Sequence, residues 1–180
     1  MSCQSLVFRC VCGIAVILPS ICAADASHEH PPYKGGPAFE MIKGLQGNWE
    51  GTVKEDGAKE DQKASVNYRI TSNGSAVVET IFMGTPMEMT SIYFEKDGKL
   101  MMTHYCSIGN RPTLALKKET KDSLTFDFKS GENMNVKKDM HIHGLTLEQK
   151  PDGSLVQRWE GFVGGKPAPE ATVLTLHRAA

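Results

Sequence analysis

After Gly47 the chain alternates hydrophobic and polar residues with a period of two almost to its end, and this pattern predicts strands. Candidate strands lie near residues 48–55, 64–71, 75–83, 87–96, 99–107, 113–119, 123–129, 139–149, 154–163 and 170–178. The segments between them carry turn chemistry: Ser72-Asn73-Gly74, Gly84-Thr85-Pro86, Lys96-Asp97-Gly98, Gly109-Asn110-Arg111-Pro112, Lys121-Asp122 and Pro151-Asp152-Gly153. Connections this short leave no room for helical crossovers, so neighbouring strands run antiparallel as a meander. A ten-stranded meander exposes two long edges unless it closes on itself. The expected fold class is therefore all-β, an up-and-down antiparallel barrel of about ten strands. One element has a different period: Phe39, Ile42 and Leu45 recur every three residues and predict a short amphipathic helix within 37–45. The barrel domain is expected over residues 37–180.

Alternation assigns faces as well as strands. In the fourth strand Met87, Met89, Ser91 and Tyr93 share one face, and Glu88, Thr90, Ile92 and Phe94 the other. In the fifth, Met102, His104 and Cys106 oppose Met101, Thr103 and Tyr105. Neither face is wholly apolar, as expected of a barrel whose interior is a mixed cavity. Eight of the nine methionines lie beyond residue 26, and their flexible thioethers suit an adaptable lining or the filling of gaps in a core.

The beginning of the chain reads differently. Arg9, an apolar run from Val11 to Leu18 and then Ala24-Asp25-Ala26 match a secretory signal peptide over residues 1–26. The run is too short for a spanning helix, so the expectation is an exported protein, periplasmic or secreted, without stable membrane insertion. A lipid anchor on Cys22 is disfavoured by Ile21, which stands where such a motif wants a small residue. Removing this segment would leave Cys106 as the one cysteine of five, so the domain would rely on its core and not on disulfides. Residues 27–36 read SHEHPPYKGG and lack apolar periodicity, which predicts a flexible arm in which His28 and His30 are at most weak metal ligands. Lysine and arginine total 20 against 21 acidic residues, a formal charge of -1, which excludes the basic footprint of a nucleic-acid-binding protein.

Gly47-Asn48-Trp49-Glu50-Gly51, just after the predicted helix, resembles the Gly-x-Trp signature of the calycins, the lipocalin and fatty-acid-binding barrels. That resemblance implies a structural pair in which Arg178, in Leu174-Thr175-Leu176-His177-Arg178, packs over Trp49. The stretches Ser72–Glu79, Gly84–Thr90 and Thr103–Pro112 are similar to a family of uncharacterised exported bacterial proteins with a calycin-like barrel, which implies a fold and no activity. The nitrobindins, haem-binding ten-stranded barrels, are similar at Gly47-x-Trp49-x-Gly51. Their likeness implies an axial histidine near the end of the chain, a part that His177 would play.

The leading expectation is a non-enzymatic barrel, without a cofactor, that binds a small hydrophobic or amphipathic molecule. Met89, Tyr93, Met102 and Cys106 would line the interior, and Glu88, His104, Asn110 and Arg111 would orient the polar end of the ligand. The alternative is a haem- or metal-binding barrel. His141 and His143 lie two apart on one strand and would share a divalent metal, with His104 or Glu88 completing the set. A third reading pairs Cys106 with His104 as nucleophile and base. The sequence holds no Gly-x-Ser-x-Gly elbow, phosphate-binding Gly-rich loop or His-Glu-x-x-His, so enzymes built on those are disfavoured. Glu79 sits among apolar strand residues and is expected to pair with Arg111, Arg158 or a histidine. Export has a direct readout: N-terminal sequencing of the protein from its native compartment should start at Asp25 or Ser27 and find one titratable thiol. A chain starting at Met1 would refute it.

Overall fold

The computed structural model describes residues 30–54 and 60–180. The expected signal peptide and the first residues of the arm lie outside the described residues. A helix α1 (Pro37–Lys43) is followed by β1 (Gly47–Lys54), β2 (Gln62–Thr71), β3 (Ala76–Ile81), β4 (Met89–Lys96), β5 (Lys99–Tyr105) and β6 (Arg111–Glu119). Then come β7 (Ser123–Glu132), β8 (His141–Gln149), β9 (Leu155–Val163), β10 (Lys166–Pro167) and β11 (Thr172–Arg178). Strands β1 to β9 each pair antiparallel with the next, β9 pairs with β11, and β11 returns to β1. The sheet thereby closes into a ten-stranded antiparallel barrel, as the alternation predicts, with the two-residue β10 as a flap on β9. This flap is absent from the period-two reading, because Gly164 and Gly165, both at positive φ, turn the chain too tightly to leave a periodic signal.

The observed strands differ from the predicted ones mainly at their ends. The fourth starts at Met89, not 87, since Gly84 (φ 78) and Pro86, which lacks an N–H, hold residues 82–88 in a turn. Inward positions then follow the pleat. Val77, Glu79 and Ile81 in β3, Ser91 and Tyr93 in β4, and Leu100, Met102 and His104 in β5 are all buried. Residues 30–36, the described part of the expected arm, run along the barrel. Tyr33 donates its hydroxyl to Glu95 at 2.8 Å, and Asn73 Nδ2 donates to the His30 and Pro31 carbonyls.

Helix α1 plugs one end. Pro37 suits its first turn, where an N–H would go unused, and Phe39 and Ile42 are fully buried against the barrel interior, each worth about 1.5–3 kcal/mol. The plug is pinned at the seam between the first and last strands, where Trp49 and Arg178 are directly opposed. The Arg178 guanidinium lies 4.6 Å from the centroid of the Trp49 ring and donates to the Gln46 and Gly44 carbonyls at 2.8 and 2.7 Å. It thus serves as a cation at the carboxyl end of the helix as well as a lid on the indole. Trp49 Nε1 donates to the Leu45 carbonyl at 2.8 Å. The two glycines flanking Trp49 have separate causes. Gly47 adopts φ 123, and a Cβ on Gly51 would run into the Thr175 carbonyl across the seam. Replacing Arg178 with alanine should lower the unfolding free energy in urea by about 1–2 kcal/mol, with lysine recovering only part. An unchanged midpoint would show that the pair does not hold the plug.

Candidate functional site

The end opposite α1 is, among the described residues, not plugged by a helix. It is ringed by residues 82–88, 106–110, 133–140 and 164–171, and strands β3, β4, β5, β8, β9 and β11 enclose a cavity of about 330 Å³ beneath. Ile81, Met89, Ile142, Trp159 and Leu174 supply apolar walls, with Phe82 and Met87 from the first loop and Ile108 and Met140 from its neighbours. Phe82 takes a left-handed backbone conformation (φ 55), its N–H held by the Ser65 carbonyl. Among the described residues the polar lining consists of His104, Cys106, Ser107 and Thr172, and no charged side chain lines the cavity. At the mouth Met83, Met87, Ile108 and Met140 are exposed at 59%, 53%, 58% and 43%, an apolar rim around the opening.

Below the cavity the interior is packed around a carboxyl group. Glu79 is fully buried, and Tyr68 and Tyr93 donate their hydroxyls to it at 2.6 and 3.1 Å. Gln157 Nε2 donates to the same carboxyl group at 2.8 Å and to the Tyr68 hydroxyl at 2.6 Å, and Ser91 stands directly opposite Glu79 across the β3–β4 ladder. The Gln157 side-chain carbonyl accepts from Trp159 Nε1 at 3.0 Å. The expected ion pair is therefore replaced by a set of neutral donors. Arg158 follows Gln157 on the opposite face of β9, 3.5 Å from Glu160, and Arg111 is also outside. Burial raises the Glu79 carboxyl above the ordinary carboxylate range against the opposing effect of its donors. Burial and then the Glu79 charge push the Tyr68 and Tyr93 phenols well above theirs.

His104 joins this floor to the cavity. Its ring lies 5.0 Å from Trp159, and its Nδ1 is 3.0 Å from Ser91 Oγ. The residue is 1% exposed and has no carboxylate partner, so desolvation pushes its pKa down to about 4. The cavity therefore holds a neutral imidazole.

The remaining candidates separate. Met89, His104 and Cys106 line the cavity, the thiol touching the Met89 sulfur at 4.0 Å. Tyr93 and Met102 lie deeper, where Tyr93 packs edge-on against Phe126. Glu88 does not point inward. It is exposed in the turn before β4 and accepts the Gly84 N–H at 2.6 Å. Arg111 also faces outward, because Pro112 and Leu114 take the inward positions of β6, and it pairs with Glu132 at 2.8 Å. Asn110 is buried behind the mouth, where its Nδ2 donates to the Met140 carbonyl at 2.6 Å and ties two rim loops together. Cys106 and His104 are not hydrogen-bonded to each other, so no thiol–imidazole pair is assembled.

His141 and His143 do meet, Nε2 to Nδ1 at 3.1 Å, but a register shift between Ile142 and Gly144 turns Ile142 into the cavity and leaves both histidines off its lining. His143 is stacked between Phe162 and Phe128, at 3.6 and 4.9 Å between ring centroids. Among the described residues no group of three or more His, Cys, Asp or Glu side chains is placed to hold a metal ion. His177 does not fit the part of a haem ligand inside the barrel. It is exposed on the outer face of β11, opposite Glu50, while Leu174 and Leu176 point in. Gln157 and Tyr68 were missed as interior residues. Their signal was present in the alternation, Gln157 falling between Leu155 and Trp159 on the inward face of β9.

No family model matches the chain, and no curated protein does. Among solved structures, the crystal structure of Rv2717c from M. tuberculosis is similar over 82% of this chain and 100% of its own, with a TM-score of 0.54 and 15% identity. At that identity the likeness is one of fold, a closed antiparallel barrel.

The buried imidazole makes stability depend on pH. His104 has a folded pKa below the unfolded value, so its contribution is present above about 6.5 and is lost as pH falls toward about 4. The lost contribution amounts to about 3 kcal/mol. Glu79, raised on folding, acts in the opposite sense as pH rises above the ordinary carboxylate range. Comparing urea unfolding of the protein and its His104→Asn variant between pH 7 and 4.5 isolates the first effect, and the variant should show the flatter profile. Parallel profiles would mean that the imidazole is charged when folded.

Proposed function

We propose that this protein is a carrier or receptor for a small, mainly apolar molecule, held in the open end of the barrel without covalent chemistry. The observation that carries this reading is the cavity itself: about 330 Å³, walled by aliphatic, thioether and aromatic side chains, with one neutral imidazole and, among the described residues, no charged side chain. Its volume lies at the lower end of the range of small-molecule sites, about 300–1,000 Å³. Methionine walls adapt to guests of differing outline. Polar contact comes from His104, Cys106, Ser107 and Thr172, and not from Glu88, Asn110 or Arg111. Placement outside the cytoplasm is part of the proposal and rests on Arg9, Val11–Leu18 and Ala24-Asp25-Ala26.

The test is titration with an uncharged apolar dye such as N-phenyl-1-naphthylamine. Binding should be saturable and one to one, with quenching of Trp159 emission. Trp159→Phe should retain binding and lose that quenching, and Ile142→Trp, which fills the cavity, should weaken binding by at least about tenfold. An absorption spectrum and metal analysis of protein from its native source belong to the same test. A Soret band or a stoichiometric metal would sink this proposal in favour of the histidine-based alternative.

A further inference from the structure

A second hollow lies on the outer face of the barrel, a groove of about 600 Å³ over β4, β5, β6 and β7. Alternation turns Phe94, Met101 and Ala115 outward, opposite one another on neighbouring strands, yet Met101 and Ala115 are buried. Outward side chains so hidden mark the floor of a depression. The register shift between Thr113 and Leu114 leaves Lys129 out of the ladder between Phe128 and Ser130, and a bulge of this kind bends its strand. The rim is basic. Lys96, Lys99 and Lys129 line the groove against one acid, Asp97, and among the described residues none of the three lysines has an ion-pair partner. Lys96 and Lys99 are directly opposed across the β4–β5 ladder, a placement of like charges that costs stability. Thr103 and Thr113 share one hydrogen bond at 2.9 Å, and whichever hydroxyl donates, the other keeps a proton to give.

We propose that this groove binds a small amphipathic anion, a carboxylate, sulfonate or phosphate ester on an apolar or aromatic body. The body lies on Phe94 and Met101, and the anionic head sits among Lys96, Lys99 and Lys129 with a threonine or Ser130 hydroxyl as a further donor. Charge complementarity selects the head. An anion relieves the opposition of Lys96 and Lys99, whereas a cation adds to it and a neutral guest leaves it as it is. The recessed floor selects the body, because covering Phe94 and Met101 adds an apolar contribution that an inorganic anion lacks. It also favours a single molecule over the face of a bilayer, which does not follow a depression in the side of a barrel. The groove shares no lining residue with the cavity at the barrel's end, so the proposal stands apart from the carrier reading.

The probe is 8-anilinonaphthalene-1-sulfonate, an aromatic sulfonate, titrated by calorimetry. It should bind, and more weakly as salt rises from about 0.05 to about 0.5 M. Lys96→Gln, Lys99→Gln and Lys129→Gln together should weaken it at least about tenfold, with the urea midpoint unchanged or slightly raised as the like-charge pair is relieved. The cavity-filling Ile142→Trp should leave its affinity unaltered. Loss in Ile142→Trp and none in the lysine variant would put the anion in the cavity, overturning the inference and keeping the carrier reading. Failure of the neutral dye alone removes the carrier reading and leaves the inference standing. Sodium sulfate displacing the probe at equal concentration would show a site for charge alone and overturn the inference. So would an absence of probe binding, with or without lysine-dependent cosedimentation on phosphatidylglycerol vesicles. Independently, in amide NMR spectra of the unaltered protein the probe should shift Thr103, Thr113 and Ser130 and spare Cys106 and Ile142. The opposite set overturns the inference whatever the affinities.

Discussion

A carboxyl group sealed inside an apolar barrel has to be satisfied where it stands, and Glu79 imposes that demand on the strands around it. The pleat admits a partner only at an inward position, so the donors come from β2, β4 and β9 as Tyr68, Tyr93 and Gln157. Gln157 then holds the Trp159 indole, and Ser91 holds the His104 ring. One buried carboxyl group thereby orders a layer of side chains across the barrel, with packed interior below it and the cavity above.

The two ends of the barrel answer different needs. At one, a seven-residue helix too short to stand alone is made permanent by what it buries and by Arg178, which closes its last carbonyls and caps Trp49. At the other, among the described residues, no helix is supplied, and Met83, Met87, Ile108 and Met140 form an exposed apolar rim. The cavity lies at the end without the helix, where no buried Phe39 or Ile42 fills the interior.

The number of strands, their direction and the closure of the sheet were legible because a period of two and short turns leave few topologies. The helix was legible through Phe39, Ile42 and Leu45. The site was half legible. His104, Cys106 and Met89 fall on inward faces that the alternation marks, whereas Glu88, Arg111, His141 and His143 sit at turns or register shifts, where counting by twos loses its phase. The partners of Glu79 were illegible for another reason. A buried acid is ordinarily matched to a cation, and nothing in a linear sequence says that two tyrosines and a glutamine from distant strands arrive at the same point.

The rim also sets how a guest of the proposed kind would pass. Met83, Met87 and Met140 are unbranched, and side chains of that kind exchange rotamers within nanoseconds at a surface. The aperture therefore changes its bore by side-chain motion alone, with every ladder of the sheet intact. Under the proposed carrier role, entry and exit would need no breathing of the barrel, and a rigid, plugged framework would coexist with a soft valve.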